Sequence, residues 1–90
     1  MTTYYLNRGY NIEKFKEICK AIEMLYPSYK KDKLLVDVDN SLIQVYTDGD
    51  KEIVIDNCAE TDVIEARANV DLSNFKYVEA FLKNGKLIYK

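Results

Sequence analysis

From residue 12 the apolar positions fall at Ile12, Phe15, Ile18, Cys19, Ile22, Leu25 and Tyr26, the three-to-four spacing of one helix face. The flanks agree. Asn11 is placed to cap the first turn, Glu13 suits the positive end of the helix dipole, and Tyr10 is spaced to staple onto Phe15. Pro27 ends the helix, because the residue before a proline is pushed out of the α region. Ahead of it, residues 2–6 are β-prone and Gly9 closes that stretch.

After Lys30 the period shortens to two. Leu34, Val36 and Val38 alternate with Leu35, Asp37 and Asp39, and Asn40-Ser41 then turns the chain into residues 42–46. Thr47-Asp48-Gly49 is a hairpin signal leading to Ile53, Val54 and Ile55. Two registers are open. A two-residue Asp48-Gly49 loop pairs Thr47 with Asp50 and sets Ile43 and Val45 on the face opposite Ile53 and Ile55. A three-residue loop with Gly49 left-handed pairs Tyr46 with Asp50 and gathers all four on one face, which burial favours. Residues 59–62 form another turn, and residues 63–70 a further strand with Ile64, Ala66, Ala68 and Val70 inward.

Near the C-terminus, Leu72, Phe75, Val78 and Leu82 fit a helix capped by Asp71 or Ser73, with Gly85 past its end. The same residues fit a hairpin turning at Asn84-Gly85. The helix is preferred, since it keeps Lys76, Glu79 and Lys83 toward water whereas both faces of a strand would be apolar. Residues 87–89 read as a final strand. The fold class expected is α+β: one small domain over residues 1–90, an N-terminal helix, an antiparallel sheet of about four to six strands, and a second helix near the C-terminus.

Composition narrows the function more than the fold. At 48% hydrophobic and 31% charged the chain is ordinary for a globular domain. No apolar run reaches the ~18 residues of a membrane span, and residues 1–10 lack the pattern of a signal peptide. Two cysteines, Cys19 and Cys58, indicate no disulfide framework, so a cytoplasmic setting is expected.

Charge is segregated. Residues 1–36 hold seven bases and four acids, and residues 72–90 four lysines and one acid. Residues 37–71 hold ten acids against Lys51 and Arg67, a net charge of −8. Turn chemistry accounts for Asp48, Asp62 and Asp39. Asp37 and Glu52 fall on the wet face by alternation, and Asp37, Asp39, Asp50, Glu52, Asp56, Glu60 and Glu65 make a candidate acidic binding surface. Such a field concentrates basic partners and repels nucleic acid. The competing explanation is an ordinary solvated sheet face.

Other chemistry is sparse. With no histidine, the commonest general base near neutral pH is missing and no Cys-His or Ser-His pair can form. Cys19 lies on the apolar helix face, and Cys58 sits beside Asp56 and Glu60, which disfavour a thiolate. Counted from Asp37, the sixth position that an EF-hand reserves for glycine is Leu42. No catalytic residue, metal site or cofactor is therefore expected. Eight tyrosines serve as core filler or contact residues, and Tyr29, Lys30, Lys31 and Lys33 form a basic-aromatic patch able to touch phosphate.

The leading expectation is a non-enzymatic protein-binding module, acting as an inhibitor whose acidic sheet meets a basic, nucleic-acid-binding partner. The alternatives are an oligomeric small-ligand or nucleotide-binding protein using the Tyr/Lys patch, and a structural subunit. Neither nucleic acid as main ligand nor a membrane partner is expected. The oligomeric state is open, a homodimer included.

Overall fold

A computed structural model of the chain describes residues 2–71 together with Tyr77 and Val78. Its elements run β1 (Thr2–Arg8), α1 (Ile12–Leu25), β2 (Lys30–Lys31), β3 (Leu35–Val36), β4 (Leu42–Asp48), β5 (Lys51–Cys58) and β6 (Val63–Ala68). The strands form one antiparallel sheet in the order β1-β6-β5-β4-β2, and β3 also pairs with β4. No helix among the described residues is long and apolar enough to cross a membrane.

The helix follows its sequence signals. Asn11 is the N-cap, with extended backbone, and its side chain accepts from the Lys14 amide at 2.9 Å. Phe15, Ile18, Cys19, Ala21 and Ile22 are buried, and the helix stops at Tyr26 ahead of Pro27. Ile12, expected on the same face, is exposed because it precedes the first turn that reaches the sheet. Tyr10 is held otherwise than by a staple, its hydroxyl donating to the Asn40 carbonyl at 2.8 Å.

α1 covers one face of the sheet. Facing it are Gln44 and Tyr46 of β4, Ile53, Ile55 and Asn57 of β5, and Ile64, Ala66 and Ala68 of β6, all buried. With the buried helix residues and Val78, the apolar members form the core, and Tyr4, Leu6, Leu25, Leu42 and Val70 pack around it. β6 meets the expectation of Ile64, Ala66 and Ala68 turned inward.

The β4–β5 hairpin departs from both registers read in the sequence. Asp48 pairs with Lys51 and Tyr46 with Ile53, leaving Gly49 and Asp50 as the turn. Gly49 alone has positive φ (63°), which fits a type II′ turn with glycine at its first central position. Ile43 and Val45 therefore lie opposite Ile53 and Ile55. The inward places on β4 go to Gln44 and Tyr46, because each has a polar group that α1 or the edge strands can satisfy. The Tyr46 hydroxyl donates to Glu23 Oε2 at 2.7 Å, and Gln44 Nε2 donates to the carbonyls of Asp32 and Val45.

Residues 30–41 depart further. A continuous strand with one inward side is expected, yet β2 and β3 are two-residue stretches separated by an irregular segment. Lys31 pairs with Tyr46 and Leu35 with Ile43, so three residues on this side face two on β4. That extra residue is a bulge, which breaks the alternation. Leu34, Leu35, Val36 and Val38 all remain exposed. Asp37 does not lie on a strand face, because the chain already turns there: its N–H donates to the Ser41 carbonyl, and Asn40 is left-handed at φ 71°. The helix or hairpin expected over residues 72–83, and the strand over 87–89, lie outside the described residues except for Tyr77 and Val78.

Candidate functional site

The seven acids proposed as one surface occupy three places. Glu52, Asp56 and Glu65 lie on the face of the sheet away from α1. Asp37, Asp39 and Glu60 lie in the turns at the end where β4 begins and β5 finishes. Asp50 sits in the hairpin turn at the opposite end, about 20–25 Å away at the usual rise of a strand. All four turn acids are exposed.

The turn acids serve the backbone. Asp39 Oδ1 accepts from the Ser41 amide at 2.9 Å, and that hydrogen bond holds its carboxyl below the usual range. Asp37 Oδ1 accepts from Val38 N–H at 2.7 Å. Asp62 Oδ1 accepts from Tyr10 N–H, also at 2.7 Å, tying β1 to the turn before β6. Asp48 Oδ2 accepts from the Ser28 hydroxyl at 3.2 Å. The bonds of Asp37 and Asp39 are local backbone chemistry, whereas those of Asp62 and Asp48 join segments distant in sequence.

The face of the sheet away from α1 is different. Asp56 of β5 stands directly opposite Glu65 of β6, and Val54 opposite Arg67. Like charges across a ladder repel, but Arg67 Nη1 reaches both carboxylates, 3.1 Å from Asp56 Oδ2 and 2.6 Å from Glu65 Oε1. Asp56 and Glu65 are mostly buried, with side chains 14% and 19% exposed, against 33% for Arg67. Burial works against the Arg67 charge, yet its bonds to Asp56 and Glu65 outweigh that and hold its pKa above the ordinary value. Asp56 Oδ1 is buried with no hydrogen-bond partner. Around this cluster stand Ile43, Val45, Val54 and Val63, with Glu52 toward the hairpin end, half-buried and opposite Thr47. Among the described residues no element is layered on this face. Arg67 was missed in the sequence as a site residue; its signal was the Glu65-x-Arg67 spacing, which puts both side chains on one side of a strand.

The Tyr/Lys patch also divides. Tyr29 packs edge-on against Tyr26, ring centroids 5.2 Å apart, and borders the core. Lys30 and Lys31 pair with successive β4 residues, and successive strand residues point to opposite faces. Lys31 lies on the helix side, 3.1 Å from Glu23 Oε2, the oxygen that also accepts from Tyr46. There it joins Lys16, Lys20, Phe15, Leu34 and Gln44 around an open cleft of about 270 Å³ between α1 and the edge strands. Lys16 and Lys20 carry the helical i, i+4 spacing that makes them neighbours. Cys19 also borders the cleft, and burial pushes its thiol up to about 11, away from a reactive thiolate. No group of three or more Cys, Asp or Glu among the described residues is placed to hold a metal ion.

Among the described residues, fold and site define the class: an α+β domain with α1 on one face of a six-stranded antiparallel sheet, and a charged, partly apolar opposite face. Compared with family models, curated proteins and solved structures, the chain has no match.

Proposed function

We propose that this chain is a non-enzymatic protein-binding module, an inhibitor by mode of action, whose contact surface is the face of the sheet away from α1. The observation that carries the reading is the cross-strand cluster of Asp56 and Glu65 about Arg67, with Glu52 beside it and Val45, Val54 and Ile43 around it. Two acids to one base, with a third acid adjacent, make the centre of this face net negative, while Lys30 opposite Thr47 and Arg8 opposite Val63 stand on its two edge strands. The half-buried Ile43 and Val45 supply contact area, and the acids select a partner with a basic surface. The turn acids lie outside this surface, at the two ends of the sheet, and the carboxylates of Asp37 and Asp39 are engaged by nearby amides.

The test is affinity capture from cell extract at low and high salt, comparing wild type with two variants. Glu52→Lys/Val45→Lys places two bases on the face and leaves Asp56, Glu65 and Arg67 intact. Asp50→Asn/Glu60→Gln removes turn charge. A partner held by wild type and by the turn variant, lost from the face variant and weakened by salt, supports the reading. A partner insensitive to the face variant overturns it.

A second reading rests on the cleft. Three lysines around about 270 Å³, one of them paired with the Glu23 that also lines the cleft, suit a small anion of phosphate or carboxylate chemistry. Thermal shifts with inorganic phosphate and nucleotides that vanish in Lys20→Ala/Lys31→Ala would favour it over the protein-binding face.

A further inference from the structure

We infer that the β2–β3 edge is a self-recognition surface, through which two copies of this chain pair antiparallel into one continuous sheet. This stands on observations separate from those behind the proposed function.

The first is what the edge leaves open. Leu34, Leu35, Val36 and Val38 are 42%, 52%, 62% and 100% exposed, the main cluster of large exposed apolar side chains among the described residues. β3 pairs only with β4, so its other edge has no strand beside it among the described residues. The ladder also sets which groups point outward. The Asp37 amide donates to the Ser41 carbonyl, which makes that pair hydrogen-bonded; Val36 and Leu42, one step on, then form a non-hydrogen-bonded pair. The N–H and C=O of Val36 consequently face away from β4. Edges of this kind are normally blunted by shortness, a bulge, a charge, a proline or a covering element; β3 is short and follows a bulge, yet its apolar side chains stay uncovered.

The second observation selects the occupant. Bases precede the apolar centre (Lys30, Lys31, Lys33) and acids follow it (Asp37, Asp39). Antiparallel pairing centred on Leu35 sets Val36 against Leu34 of the second copy, where the outward groups of Val36 find a partner. It also brings Lys33 beside Asp37 of the second copy, twice by symmetry. A parallel arrangement would put lysine on lysine. The strip is complementary to itself under a two-fold axis, as an isologous interface requires. That axis stands perpendicular to the sheet, so in both copies the face away from α1 points the same way. A dimer would present two copies of the Asp56–Arg67–Glu65 cluster side by side.

The experiment is sedimentation equilibrium from micromolar to millimolar chain, with circular dichroism as the fold control. Wild type should move toward twice the 10.5 kDa of one chain. Leu35→Lys, at an exposed position, should remain folded and monomeric. Lys33→Asp and Asp37→Lys should each be monomeric alone, because each sets like charges together. Mixed, they should form a heterodimer, because every pair is again opposite in charge. Wild type that stays monomeric throughout overturns the inference, as does a dimer that survives Leu35→Lys or charge variants that fail to combine on mixing. The mixing result also fixes the register, since dimerisation elsewhere on the molecule would not depend on it.

Discussion

The two faces of β5 are made from alternate residues of one eight-residue strand and differ in almost every physical respect. Ile53, Ile55 and Asn57 are fully buried beneath α1. Glu52, Val54 and Asp56 point the other way, into a surface with no layered element among the described residues. On the inner side the hydrophobic effect decides position, and one slip of register would turn Ile53 and Ile55 to water. On the outer side charge and local hydrogen bonding decide, and the free energy at stake per residue is smaller. The inner face holds the fold, and the outer face carries the proposed contact.

The largest expected effect tests the inner half. Ile55→Ala should cost about 2–5 kcal/mol, because it opens a cavity where α1, β4 and β6 converge. Val45→Ala, on the outer face of β4, should cost about 1 kcal/mol, the value of a half-buried pair of methyl groups. Urea unfolding measures both. Equal costs would mean that the outer face is packed like the inner one, and its role as an open contact surface would fall.

Next is alkaline lability, which also belongs to the inner side. Burial raises Cys19 from 9.0 to about 11, and burial with the bond to Glu23 holds Tyr46 above its ordinary value. For groups raised in the folded state, stability is fully present below the unfolded pKa and is lost as pH rises through the folded one. Unfolding free energy should therefore fall by about 2–3 kcal/mol from Cys19 between roughly pH 9 and 11. Cys19→Ala should flatten that slope when urea curves are collected across this range. The slope persisting in Cys19→Ala and in Tyr46→Phe would place its origin elsewhere.

These effects show why the sequence was readable in some places and not in others. The helix was legible because Phe15, Ile18, Cys19 and Ile22 repeat at its period, and Asn11 and Pro27 mark its ends. β6 was legible because Ile64, Ala66 and Ala68 alternate cleanly with Glu65 and Arg67. The β4–β5 register was not, because Ile43 and Val45 look more suited to a core than Gln44 and Tyr46. What settles it is satisfaction of polar groups by Glu23 and the Asp32 carbonyl, which belong to segments distant in sequence. Residues 34–38 misled for a related reason. Alternation predicts an inward side only where a strand has something to pack against, and the bulge before β3 leaves both sides at the edge. The candidate acids were legible as a list and not as a surface, since the turns at each end of the sheet claim four of the seven.

On the outer face, Arg67→Met should cost about 1–2 kcal/mol, less than a fully buried pair because Arg67 is one-third exposed. The loss comes from the stranded acids: Asp56 already has one buried oxygen without a partner, and the substitution strips the other. Arg67→Met/Asp56→Leu should recover part of that cost, since it removes the buried carboxylate along with its base. A double variant no better than the single one would mean that Arg67 acts through packing of its stem and not as a counter-ion.

The smallest expected effect on stability is the most informative about function. Glu52 is half-buried, makes no side-chain hydrogen bond among those described, and stands opposite Thr47 at the margin of the cluster. Glu52→Gln keeps its size and polarity, so unfolding free energy should change by no more than about 0.5 kcal/mol. If the outer face is a contact surface for a basic partner, the same substitution removes one of three acids and should weaken capture measurably. The loss should be greater at low salt, where the Debye length reaches well past the contact. Stability and binding would then separate at a single residue, as a contact face requires and a merely solvated one does not. A Glu52→Gln chain that folds and captures its partner as wild type does at every salt concentration would assign Glu52 to the solvent. The contact would then contract to Asp56, Arg67 and Glu65, whose charges cannot be altered without disturbing the sheet that holds them.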